Sequence, residues 1–398
     1  MSAARFAVSM LFSVDGFAFG IWAGHIAAIR AALDLSPAAL SLALFGLFTG
    51  AIASMPLTGA LSRRFASRRL SIAGAVLSLP ALALPGIAGS LGALIAAAIA
   101  FGASRGVLEV AMNTVASELQ ERVGRPIFSS FHACFSFGGM AGAGTASLAL
   151  GLGGSPPVDL PAAALLLLAL VAPTFRWLPP SHRRAAHAEN AARSAAAGPV
   201  RAAVVPALHP RLVVFALGGA AFCGLVGEGA AADWSGVYLR TVFDTLPFIA
   251  PLAYTSFSLA MAVGRVVGDR IASAVPSAKL LRLCGLSALL ATTLVVAAPN
   301  AWCAIAGFAL LGASLANVIP ILFGAAGRLG AGSGIATVST IGYAGFILGP
   351  PLIGAIAQAR GLRLGLSSLI GFCIGMLLFG AIIRRDDEAP KRDQACAP

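Results

Sequence analysis

The stretch SRGVLEVAMNT, Ser104 to Thr114, lies in an almost uninterrupted run of small and apolar residues from Leu91 through Leu119, yet it carries Arg105 and Glu109. Four residues apart on a helix, the two side chains share a face, with Glu109 about 6 Å further along at ~1.5 Å per residue. They can neutralise each other. Apolar residues would fill the same space at lower cost, so self-neutralisation gives no reason for the pair to be there. An ionisable side chain deep in hydrocarbon costs at least about 2.5 to 3.5 kcal/mol on insertion scales and therefore faces a cavity or a partner. Asp15, in the apolar run 6–32, falls at the depth of Glu109, and His132, five residues into the run 127–151, shares that level. Two carboxylates and one arginine leave an acid that is not fully compensated, and such an acid can exchange protons near neutral pH.

The elements that must position these residues are membrane helices. The chain has 398 residues, 58% hydrophobic and 11% charged, with a mean hydropathy of +0.90. Those values exclude a water-soluble domain. A bilayer admits only helices or closed barrels, and continuous apolar runs without strict alternation select helices. Twelve spans are predicted: 6–32, 37–61, 70–89, 91–119, 127–151, 158–178, 211–240, 247–271, 279–298, 301–327, 330–359 and 363–384. The first has no basic n-region followed by a small-residue cleavage site, which predicts a retained helix.

The net charge of +12 raises nucleic acid as a partner, and its distribution decides against it. Arg63, Arg64, Arg68, Arg69, Arg122, Arg125, Arg183, Arg184, Arg193 and Arg201 fall in alternate loops of the first half and in the central loop. Arg270, Lys279, Arg282, Arg328, Arg384, Arg385, Lys391 and Arg392 continue the pattern, while the opposite loops hold only Arg30, Arg240, Arg360 and Arg363. That asymmetry is the positive-inside rule; it predicts cytoplasmic termini. A multi-pass protein of a bacterial inner membrane, in contact with lipid and monomeric, is expected. The cysteines are scattered without paired spacing, and His182, His187 and His209 in the central loop fit no metal motif. No cofactor is expected beyond protons as the coupling ion. With no HExxH, no paired metal ligands and no nucleophile elbow, an enzyme is not expected.

The halves repeat. IRAALDLSP, residues 29–37, returns as LRTVFDTLP, residues 239–247, pairing Arg30 with Arg240, Asp34 with Asp244 and Pro37 with Pro247 at a constant offset of 210 residues. The same offset links Gly102–Ala103–Ser104 with Gly312–Ala313–Ser314, and Gly139 with Gly349. An even number of spans in each half makes the repeat parallel, about an axis along the membrane normal. The predicted organisation is a six-helix half at 1–178, a cytoplasmic linker at 179–210, a second six-helix half at 211–384 and a tail at 385–398.

Along nearly its whole length the chain resembles the major facilitator superfamily. LEVAMN (Leu108–Asn113), FHACFSFGGMAGAG (Phe131–Gly144), GEGAAADWSGVYL (Gly227–Leu239) and GASLANVIPILFG (Gly312–Gly324) are similar to spans 4, 5, 7 and 10 of the fucose permease group. The superfamily motif G-x-L-A-D-R-x-G-R-R stands here as GALSRRFASRR from Gly59, with Arg63 at the aspartate position; its counterpart GRVVGDR from Gly264 keeps Asp269.

The resemblance implies a twelve-helix, all-α membrane fold in which spans 1 and 4 line a central cavity. It implies that Glu109 matches the coupling acid of fucose permeases and that Glu228 matches an acid of span 7. The expected proton-coupling residues are then Glu109 and Asp15. Arg105 either tunes Glu109 or binds an anionic group, and Glu228, Asn113, His132, Trp22 and Asn317 are expected to meet substrate. Arg64, Arg68, Asp269 and Arg270 are expected at the cytoplasmic gate, where arginines can meet helix C-terminal dipoles and acids of the other half. The function predicted is a secondary transporter working by alternating access, a proton-coupled symporter of a small polar or anionic solute. A proton-driven exporter of amphipathic compounds is its rival, and a receptor without transport lies further off.

Overall fold

The computed structural model describes residues 2–124, 127–180, 210–329 and 333–387. The first six spans are α1 (Ser2–Ala32), α2 (Pro37–Ser62), α3 (Ser67–Gly86), α4 (Leu91–Val123), α5 (Phe128–Gly151) and α6 (Pro156–Val171), the last prolonged by a 3-10 segment, Ala172–Trp177. The rest are α7 (Pro210–Val242), α8 (Leu252–Ala274), α9 (Ser277–Ala297), α10 (Ala301–Leu315), α11 (Val318–Leu329), α12 (Ser333–Arg360) and α13 (Leu362–Asp387). Among the described residues eleven helical spans are long and apolar enough to cross a membrane, and α8 adds the shorter apolar stretch Leu252–Gly268. The protein is an all-α, multi-pass membrane protein. The predicted linker and tail lie mostly outside the described residues.

Two predicted elements differ. The span expected at 301–327 is broken between α10 and α11, because Pro320 has no N–H for the carbonyl four residues back, at Ala316, and its ring crowds that oxygen. The span expected from Pro247 begins at Leu252 instead. In the first half Pro37 starts α2 at once, since the hydroxyl of Ser36 accepts from the N–H of Ala39. In the second half the residue at the Ser36 position is Leu246, which has no side-chain oxygen to cap a helix, and the chain runs on in turns before helix resumes.

The repeat is visible in the backbone. Among the described residues Asp34 and Asp244 are the non-glycine residues with positive φ, at 47° and 46°. The caps recur at the same offset: Ser90 accepts from Ala93 N–H at the start of α4, and Asn300 accepts from Cys303 N–H at the start of α10. Helix approach recurs too. A Cβ placed on Gly102 would strike the carbonyl of Leu47 in α2, and one placed on Gly312 would strike the carbonyl of Phe257 in α8. Leu47 and Phe257 are again 210 residues apart. Where the obstacle is backbone, nothing can swing aside; Gly102→Val and Gly312→Val should each cost about 1–3 kcal/mol. A clearly lowered melting temperature of the purified protein in detergent checks this, and an unchanged one refutes the close approach.

Within the first six helices α1 packs on α5, and α4 on α2 and α3; in the second group α7 packs on α12, and α8 on α10. The groups meet through α5 with α8 and α2 with α12. At the arginine-poor end three hydrogen bonds join them. Arg30 Nη1 donates to Thr241 Oγ1 (2.8 Å), Ser147 Oγ to the carbonyl of Phe248 (2.5 Å), and the N–H of Ala38 to Gln358 Oε1 (3.5 Å).

Candidate functional site

Between the groups lies a cavity of about 170 Å³, walled by α1, α2, α4, α5, α7, α8, α11 and α12. Asp15, Arg105, Glu109, Asn113, His132 and Glu228 all line it. The residues singled out in four separate spans are brought to one hollow, and the structure pairs them in an order that spacing did not reveal.

Arg105 turns to Asp15, across from α4 to α1. Its Nε donates to Oδ1 at 2.8 Å and its Nη2 to Oδ2 at 2.9 Å, a two-pronged side-on pair. Both residues are buried, Asp15 1% and Arg105 8% exposed. The guanidinium also lies over the ring of Phe19, 4.6 Å from its centroid, so its flat face is covered as its edge is bonded. Phe12, Asp15 and Phe19 share the inward face of α1 at spacings of three and four residues, which is why one helix supplies both acid and ring.

Glu109 is left with a neutral donor. The hydroxyl of Tyr343, from α12 in the other group, donates to its Oε1 at 3.1 Å. The amide of Asn113 bonds the backbone carbonyl of Glu109 one turn back, at 2.8 Å, and holds that turn of α4. The mutual neutralisation of Arg105 and Glu109 that spacing allows is thus replaced by a better-aligned partner for the arginine.

A second acid and arginine stand opposite. Glu228 Oε1 on α7 lies 3.8 Å from Nη2 of Arg265 on α8. Arg265 Nη1 reaches across to α5, donating to Ser136 Oγ at 2.6 Å and to the carbonyl of His132 at 3.4 Å. The ring of His132 sits against Phe12 and Phe128, with centroids 5.3 and 5.0 Å away.

Arg265 and Tyr343 escaped the sequence reading. Arg265 falls inside GRVVGDR, which was read for its gate aspartate; an arginine within the predicted span 247–271 was the signal. Tyr343, one of three tyrosines, sits in a glycine-rich turn of α12 where packing explained the pattern without it.

Other expected residues are placed elsewhere. Trp22 does not line the cavity; it is 1% exposed, edge-on to Phe101. Asn317 also lies off the cavity, because the break at Pro320 turns its amide to the carbonyl of Gly264 at 3.2 Å. Arg64 is exposed. Arg68 donates to the carbonyl of Phe175 at 3.0 Å, tying α3 to the 3-10 segment of its own half. The side chains of Asp269 and Arg270 lie outside the described ones.

The sequence profile of the Major Facilitator Superfamily matches residues 6–342. The chain belongs to the major facilitator superfamily. It is a membrane transporter of that superfamily and not an enzyme. An uncharacterized transporter of this superfamily from Yersinia pestis is 33% identical over 375 residues, covering 93% of this chain and 91% of the relative. The membrane protein MosC of Rhizobium meliloti is 33% identical over 375 residues, covering 94% and 88%. Among solved structures, the D-xylose-proton symporter superposes with a TM-score of 0.71 at 14% identity, over 96% of this chain and 98% of the other. The nucleoside transporter NupG gives a TM-score of 0.70 at 11% identity, over 98% and 100%. At such identities the likeness is one of fold.

Proposed function

We propose that this chain is a proton-coupled secondary transporter of the bacterial inner membrane, working by alternating access, with Glu109 as its exchanging acid. One observation carries the reading. Of the acids lining the cavity, Asp15 and Glu228 each have an arginine nitrogen within 4 Å, while among the described residues the carboxylate of Glu109 takes its hydrogen bond from a phenol. With Glu109 ionised the cavity holds three acids against two arginines; with Glu109 protonated it is balanced. A proton on Glu109 therefore sets the net charge of the hollow through which solute passes, and a charge-neutral cavity costs less to close. The Tyr343 bond spans the two groups, so the same proton bears on how α4 and α12 are held together.

The solute class follows from the same pairing. Arg105 is already met by Asp15, so an anionic group has to displace that carboxylate, and a small polar solute competes for less. Phe12, Phe19, Phe48, Phe135, Phe323 and Phe346 also face the cavity. That apolar lining favours, as the second reading, a proton-driven exporter of amphipathic compounds.

The hydrogen bonds at the arginine-poor end, external on the positive-inside reading, make this the arrangement closed to the outside. Proteoliposomes under an imposed pH gradient, screened with neutral polyols, carboxylates and amphipathic cations, test the proposal. Solute-dependent proton movement supports it and the direction separates the two readings. Solute flux indifferent to the gradient sinks it.

A further inference from the structure

His25 stands on α1 ten residues beyond Asp15, toward the arginine-poor end, and is fully buried. Its ring is held at both nitrogens. Nδ1 lies 2.9 Å from the carbonyl oxygen of Ile21, one turn back, and Nε2 lies 2.9 Å from Oδ2 of Asp159 in the first turn of α6. A carbonyl oxygen only accepts, so the first contact needs a proton on Nδ1. The second then needs one as well, on Nε2 of an imidazolium or on the carboxyl of a neutral acid. Either form holds one proton more than a neutral imidazole beside a carboxylate. Take that proton away and one contact sets lone pair against lone pair: Nε2 against the carboxylate, or Nδ1 against the Ile21 oxygen. In a buried site neither is cheap.

We propose that His25 and Asp159 form a second proton-binding site, separate from Glu109, at the arginine-poor end of α1. A hollow lies beside the pair, lined by its chain neighbours and not by His25 or Asp159 themselves. A second cavity, of about 280 Å³, is walled by Gly24 and Ala28 of α1, by Gly154, Ser155 and Pro156 next to Asp159, and by Arg240 across from them. The Asp159 side chain is 11% exposed. It has its room because Gly154 carries no side chain: a Cβ there would stand 2.7 Å from Oδ1. The ionisable groups around the pair are few. Arg240 on α7 lines the second cavity, the buried Asp233 lies two turns before it, Tyr254 on α8 packs on Phe19, and Arg30 further along α1 is occupied by the Leu35 carbonyl and Thr241. The near ends of α3, α4 and α5 carry no ionisable side chain.

The site is read without any transport assay, so its failure and that of the Glu109 reading are told apart. The full chain, labelled at histidine nitrogens and aspartate carboxyl carbons and held in nanodiscs, is titrated by NMR. His25→Gln and Asp159→Asn identify the two signals. A protonation step in the His25 ring or the Asp159 carboxyl is expected within the pH range over which the folded protein is titrated. In Asp159→Asn the amide can donate to Nε2 while Nδ1 keeps Ile21, so the fold is retained and the ring is expected to stay neutral across that range. In Glu109→Gln the step is expected to persist. Flat signals in the natural chain, an unaltered His25 step in Asp159→Asn, or loss of the step in Glu109→Gln would each overturn the proposal.

Discussion

In Glu109→Gln, solute movement driven by a pH gradient is expected to fall about 5- to 150-fold, the range of a coupling free energy of 1–3 kcal/mol. Exchange of labelled for unlabelled solute without a gradient is expected to continue. The substitution keeps the shape of the side chain, can still accept from Tyr343, and removes only the ability to lose a proton. If Glu109 merely supported the wall, both modes would fall together; if another acid carried the proton, both would survive. Tyr343→Phe is the milder companion. It deletes one hydrogen bond, worth about 0.5–1.5 kcal/mol, and leaves the charge of the cavity alone, so its loss of driven flux is expected to be smaller. A Tyr343→Phe defect as large as that of Glu109→Gln would mean that the bridge between α4 and α12, not the proton, is the essential feature.

The architecture was legible because the bilayer leaves so few solutions: length of apolar run, loop charge and a recurring offset of 210 residues together allow one fold class. The repeat is legible for a further reason. Asp34 and Asp244 take the same left-handed turn, and Gly102 and Gly312 the same backbone contact, so each mark in the sequence is a mark of geometry. The site was legible by depth and not by direction. Asp15, Glu109 and His132 could be set at one level, with Arg105 one turn away, from their places along their helices, since rise per residue is constant. Which of them touch depends on how far each helix is turned about its own axis, and periodicity in spans apolar on every side says little about that. Hence the fork from Arg105 to Asp15 was not foreseen, and Arg265, visible as a charge in a span, was read as part of a loop motif. Trp22 and Asn317 show the converse: both were expected to meet substrate, but packing against Phe101 and a proline break place them off the hollow.

Asp15→Asn is the variant in which stability and coupling change together. Taking away one member of a buried ion pair leaves the other charge unmet, at a cost of about 3–5 kcal/mol. Arg105 has one recourse, because Glu109 lies a single turn further along α4 on the same face. If the guanidinium swings to it, part of the lost stability returns, but the acid that was free to exchange its proton becomes a fixed counter-ion. Asp15→Asn is therefore expected to melt at a lower temperature and also to lose driven flux, although it does not touch Glu109. The pair of variants Asp15→Asn and Glu109→Gln in one chain separates the two effects. With both acids neutral Arg105 has neither partner, and the double variant is expected to be less stable than the sum of the single ones, the non-additivity expected of two groups that share a partner. Replacing the pair together, Asp15→Leu with Arg105→Met, removes both charges and is expected to restore much of the melting temperature, as apolar exchange of buried pairs often does. Full stability and full coupling in Asp15→Asn would show that Asp15 is not what keeps Arg105 from Glu109, and the unbalanced acid at the centre of the cavity would need another origin.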